Sequence, residues 1–193
     1  GATVTVKEAA ADQEQFYILV EFAAPEGTVL PEPDQVEEGF NRAVLWGGPD
    51  GRGIGFGAYR DESCTSFIGS SEAGYAIDYV EDSDPTDNKM EFIIRGHIDP
   101  MPKDAAYCLF SGIQSLCMQY QGEWVTMLDG MDIDLIVPLV GMGTHYDFQG
   151  RCGVNLNGVT LAVAENLTIS PISVSMDLVI PDGAAYDAAF GQD

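Results

Sequence analysis

Asp82, Asp84, Asp87 and Asn88 place four oxygen-bearing side chains within one short stretch. Hard oxygen ligands crowded in this way are what a calcium ion takes. The EF-hand pattern is not met. Thr86 stands at the fifth ligand position, Asp87 replaces the glycine of the sharp turn, and Ile93 sits where a bidentate glutamate is needed. Calcium held by Asp82, Asp84 and Asp87 is the one metal expectation, and its rival is a solvated hairpin tip. Trp46 and Trp124 supply flat faces on which a sugar ring could stack, with Tyr75, Tyr79 and Tyr107 as further aromatics. Rings at alternating strand positions more often belong to a core.

Cys64, Cys108, Cys117 and Cys152 are accompanied only by His97 and His145. Structural zinc needs ligand pairs about two to four residues apart, and here the closest cysteines are Cys108 and Cys117. If those two share one extended strand they lie about 30 Å apart at ~3.3 Å per residue and cannot bond each other. A disulfide would then involve Cys64 or Cys152, and the simpler reading is four partly buried thiols. With 31 Asp+Glu, carboxylate pairs of the glycosidase kind arise everywhere by chance. The chain has no G-x-S-x-G, no H-E-x-x-H and no P-loop, and each histidine reads as a surface or edge-strand residue. Gly53-Ile-Gly-Phe-Gly-Ala58 fits G-x-G-x-x-A, yet no helical pattern follows it, so these read as strand glycines. No enzymatic activity is expected.

The elements that must position these residues are strands. Phe16, Ile18, Val20 and Phe22 alternate with Tyr17, Leu19 and Glu21, and Val4 and Val6 alternate with polar neighbours, which predicts a first hairpin. Residues 34–46 fit both a helical stripe and a strand. Strand is preferred for 40–46, because the turn cluster Gly47-Gly-Pro-Asp-Gly51 and the alternating Ile54, Phe56 and Ala58 follow, as in a hairpin. Tyr75–Val80 and Met90–Arg95 flank the acidic loop as another hairpin. Further strands are expected at 107–110, 113–120, 131–137, 154–163 and 167–180, the last broken at Ser170-Pro171. These segments are read as about nine or ten strands with no long helix, an all-β antiparallel β-sandwich, immunoglobulin-like or related. A single assembly over 1–193 is expected, with 100–104 as the place where a sub-division would fall.

The 193 residues carry 8 Lys+Arg against 31 Asp+Glu, a net charge of -23, and 46% are apolar. That is apolar enough for a buried core, and too acidic to favour nucleic acid or an anionic lipid surface. No apolar run is long enough to span a bilayer, so direct membrane insertion is not expected. Asn166-Leu-Thr168 matches a glycosylation sequon by pattern alone.

Gly122-Glu-Trp-Val125, Met131–Val137, Val159-Thr-Leu-Ala-Val163 and the segment Leu167-Thr-Ile-Ser-Pro-Ile-Ser-Val-Ser-Met-Asp-Leu178 together resemble a bacterial extracytoplasmic domain of unknown function. That domain occurs in single-pass membrane proteins of Gram-positive bacteria, many described as anti-sigma factors. Ala2–Leu30 looks like its beginning, just after the membrane segment, while residues 40–80 match least. The resemblance implies a non-enzymatic sensory or interaction domain, displayed at the cell surface on a membrane-anchored, anti-sigma-factor-like protein. Its partner would be a protein or a cell-wall component. It brings no catalytic residues. The alternative, from the aromatics and the acidic loop, is a secreted or cell-surface carbohydrate-binding or adhesive module.

Overall fold

Phe16, Ile18, Val20 and Phe22 are buried, and the residues between them are not. Alternation of this kind gives a strand with one face on a core and one toward water. The computed structural model describes residues 1–11, 15–37, 40–47, 53–68, 72–81, 84–99, 104–139, 146–148, 150–156, 158–170 and 172–190. The chain forms two compact units, Gly1–Met142 and Gly143–Asp193. In the first, the strands are β1 (Thr3–Ala11), β2 (Gln15–Ala23), β3 (Ala43–Trp46), β4 (Gly55–Tyr59), β5 (Phe67–Ile68), β6 (Glu72–Val80), β7 (Lys89–Asp99), β8 (Tyr107–Ile113), β9 (Ser115–Tyr120), β10 (Glu123–Leu128) and β11 (Ile133–Pro138). In the second they are β12 (Tyr146–Phe148), β13 (Cys152–Leu156), β14 (Val159–Ile169) and β15 (Val174–Val179), followed by the helix α1 (Gly183–Phe190). The fold is all-β, antiparallel and sandwich-like.

One layer of the first unit is the sheet β1-β2-β7-β6. Both hairpins expected from alternation are present, β1 with β2 and β6 with β7, and β2 joins them by pairing with β7 from Gln15↔His97 to Ala23↔Lys89. His97 is exposed, as expected, but on an inner strand rather than an edge.

The facing strands are organised by one bent run of chain. β8 and β9 are separated by Gln114 alone, and just before it Gly112 takes a φ of 73° that favours glycine. Asp134 Oδ1 accepts the Gly112 N–H at 3.0 Å, and the Gln114 N–H donates to the Trp46 carbonyl at 2.8 Å. β3 and β10 flank β9, while β4 and β11 flank β8. The hairpin expected between 40–46 and 54–58 therefore does not form. Each segment instead pairs with its own half of the bent strand, where Leu45 meets Leu116 and Phe56 meets Phe110. Fifteen strands are described where the alternation counts about nine or ten: 154–163, read as one strand, is divided between β13 and β14, and β5 and β12 are too short to show an alternation of their own.

Phe16 packs on Phe56 and Phe110, with ring centroids 5.5 and 6.0 Å apart, and Tyr75 reaches the same two rings. These contacts tie β2 and β6 of one layer to β4 and β8 of the other, at offset and edge geometries that favour ring pairs. Gly96 lies beneath Phe16, and a Cβ there would stand 2.4 Å from Phe16 Cζ. Only glycine lets the ring come so close.

The second unit is one sheet. β14 pairs with β15 along one edge and with β13 and β12 in succession along the other. A bulge near Asn166, whose φ is 50°, interrupts the β14–β15 ladder. Asp182 occupies the N-cap position of α1, its carbonyl accepting the Tyr186 N–H at 3.1 Å.

Candidate functional site

Glu32 and Arg42 close the neck of a loop. Arg42 Nη1 lies 3.1 Å from Glu32 Oε1, Tyr79 donates its hydroxyl to Glu32 Oε2 at 2.6 Å, and the guanidinium sits 5.0 Å from the Tyr79 ring centroid. The described residues 32–37 and 40–42 thus lie on a loop with neighbouring ends, stiffened at the start by Pro31 and Pro33. A second set of bonds fastens it to the β9–β10 hairpin. The Asp34 N–H donates to the Gln119 carbonyl at 2.8 Å, and Asp34 Oδ2 accepts the Gly122 N–H at 2.7 Å. Gln121 and Gly122, with φ of 56° and 81°, make the tight turn of that hairpin.

Between loop and hairpin lies a groove of about 420 Å³, lined by Gln35, Val36, Glu37, Phe40, Asn41, Gln119 and Trp124. Phe40 is 70% exposed and Trp124 53%, so two aromatic faces meet solvent in a depression whose other side chains are mainly amides. An amide offers two donors and an acceptor at once, which suits adjacent hydroxyls, and a bare ring suits the apolar face of a sugar. Among the described residues of this lining, Glu37 is the one carboxylate. Trp124 pairs across the ladder with Gln119, on the sheet face turned away from the core, so its exposure follows from strand parity.

Trp46 shares that outer face but stands opposite Ser115, at the other end of β9. Register puts the two tryptophans roughly 16 Å apart, at ~3.3 Å per residue and ~4.8 Å between strands. They do not form one platform. Tyr75 and Tyr79 are packed against the core, with the Tyr75 hydroxyl donating to the Ile54 carbonyl at 2.7 Å. Phe40 and the loop carrying it were missed by sequence reasoning. The available signal was the prolines at 31 and 33, followed by Glu32 and Arg42.

Asp84 and Asp87 sit at the tip joining β6 to β7, and Asp82 and His145 lie outside the described residues. Asp84 Oδ1 accepts from the Thr86 hydroxyl at 2.6 Å and from the Thr86 N–H, which holds its carboxyl below the usual aspartate range. Asp87 Oδ1 accepts the Lys89 N–H at 2.7 Å. With Glu21, Glu81 and Glu91 they line a cavity of about 200 Å³, into which Lys89 brings a cation bonded to Glu21 at 2.9 Å. Among the described residues, no three His, Cys, Asp or Glu side chains are grouped as metal ligands.

All four cysteines are free thiols. Cys108 is buried, which pushes its thiol up to about 12, while Cys152 is exposed. A further depression of about 430 Å³ on the outer face of β2, β7 and β6 is floored by Gly74 and Ala76 and edged by Tyr17, Arg95 and His97. Its arginine is engaged by Asp78 in an ion pair.

No family model, curated protein or solved structure matches the chain. Among the described residues, no helix is long and apolar enough to cross a membrane.

Proposed function

We propose that this chain is a non-enzymatic recognition domain acting outside the cell, and that the Trp124–Phe40 groove binds a carbohydrate. The observation that carries this reading is the pairing of two exposed aromatic faces with the amides of Gln35, Asn41 and Gln119, in a groove whose wall is clamped at both ends. A preorganised wall spares a ligand the entropy of ordering it.

The anti-sigma-like sensory role rests on the sequence resemblance alone. On that reading the same groove would be the input of a membrane-anchored signalling protein, and occupancy would stabilise the folded state by mass action. Cell-wall glycans are the natural first probes.

The test is a glycan array followed by calorimetric titration of the best binder, with and without EDTA. Trp124→Ala and Phe40→Ala are each expected to weaken binding by about tenfold or more, as for loss of a buried aromatic anchor. Trp46→Ala is expected to leave it unchanged. Absence of glycan binding, or binding indifferent to both groove variants, refutes the proposal. A loss of affinity in EDTA that calcium restores, and that Asp84→Ala abolishes, would assign the ion to the Asp84 loop.

A further inference from the structure

β15 is an open edge. Among the described residues it pairs with β14 alone, leaving the backbone groups along its other side without a strand. Proteins ordinarily protect such an edge with lysine, proline or inward-pointing charge. β15 reads Val-Ser-Met-Asp-Leu-Val, and its one charge, Asp177, is bonded to Asn166 Nδ2 of β14 at 2.7 Å. Val174, Met176 and Leu178 alternate along the strand and are 60%, 47% and 62% exposed.

We propose that β15 pairs antiparallel with β15 of a second copy of this chain, about a two-fold axis at Met176. In that register Val174 stands opposite Leu178 of the other copy, Met176 opposite Met176, and Ser175 opposite Asp177. Val174, Met176 and Leu178 each meet an apolar residue on the same face, Val179 falls opposite Ser173 at the end of the ladder, and each carboxylate meets a hydroxyl that can donate to it. Directly opposed residues on one face are the units that stabilise a sheet. Neighbouring registers are worse. A slip by one residue sets Met176 against Asp177 and Leu178 against Ser175. An axis at Asp177 places two carboxylates face to face.

The contact is confined to one strand per copy, well short of the ~800 Å² per partner of a standard interface, so the dimer is a weak one. Each copy carries a net charge of -23, and their mutual repulsion is screened by salt. Association therefore strengthens as ionic strength rises.

The experiment is sedimentation velocity on the full chain across the micromolar range at two salt concentrations, with circular dichroism to confirm that each variant keeps its strands. The wild type is expected to shift from monomer to dimer with concentration, and more readily in high salt. Met176→Lys sets two like charges on the axis and is expected to raise the dimer dissociation constant at least about tenfold. In a Cys152→Ser background, Met176→Cys is expected to form a disulfide-linked dimer on mild oxidation, because opposed Cβ atoms at about 4.5–5.5 Å are near bonding reach. Asp177→Cys is not expected to do so. The proposal is overturned by a wild type monomeric throughout, by a Met176→Lys protein that dimerises like wild type, or by Asp177→Cys linking as readily as Met176→Cys.

Discussion

Residues 1–142 and 143–193 are both built of antiparallel strands, yet they differ in what those strands bury. In the first unit, sheet faces meet over Phe16, Phe22, Phe92, Phe110 and their aliphatic neighbours, all almost wholly removed from water. In the second, Leu161 and Ala162 are the buried apolar residues among those described, while Tyr146, Phe148, Val174 and Leu178 are each more than half exposed. Strand pairing alone makes a ladder, and a second layer makes a core. Since burial contributes about 25 cal/mol per Å² of apolar surface, the first unit holds most of the stabilisation.

The contrast should be largest in thiol chemistry. In native protein Cys152 is expected to react with a thiol reagent at least about a thousandfold faster than Cys108, whose buried site opens only on unfolding. Comparable rates would mean that the first unit opens far more readily than its packing implies. Next comes core truncation. Phe16→Ala should cost about 4 kcal/mol and Leu161→Ala about 2 kcal/mol, measured by denaturant unfolding with probes in each unit. Equal costs would erase the distinction drawn between the two.

The smallest effect is a local one in the first unit. Asp61 accepts bonds from the Ser63 hydroxyl and from the N–H groups of Thr65 and Ser66, which hold its carboxyl down to about 2 from 3.8. A carboxyl depressed on folding contributes stability that is present above its unfolded value and lost as pH falls through its folded value. The Ser66 amide resonance is therefore expected to titrate with a midpoint near 2, and loop order to be lost between about pH 4 and 2. A midpoint near 3.8 would show that the bonds do not hold in solution.

Alternation in sequence disclosed the two hairpins of the sheet β1-β2-β7-β6, because each is local and has one apolar face, but not the β2–β7 pairing that joins them. The layer opposite was less legible. Residues 40–46 and 54–58 are near one another in the chain and look like partners, but a bent strand that begins at Tyr107 outcompetes that pairing. Trp124 could be picked out by residue type, and strand parity then gives its exposure. The groove beside it could not, because its wall is set by Asp34 reaching Gly122 and Arg42 reaching Glu32 and Tyr79, pairings that no periodicity encodes. β15 was visible as a strand, but its lack of an outer neighbour among the described residues belongs to topology.

The pairing of β2 with β7 also sets a clock. Each hairpin can close within microseconds, but the ladder between them joins residues as far apart as Gln15 and His97. The chain must search a large loop before that ladder returns any free energy, which puts folding in the millisecond-to-second range of high-contact-order β proteins. During that search both hairpins present unpaired edges, and for a chain that folds so late, dilution and its own negative charge are the safeguards against aggregation.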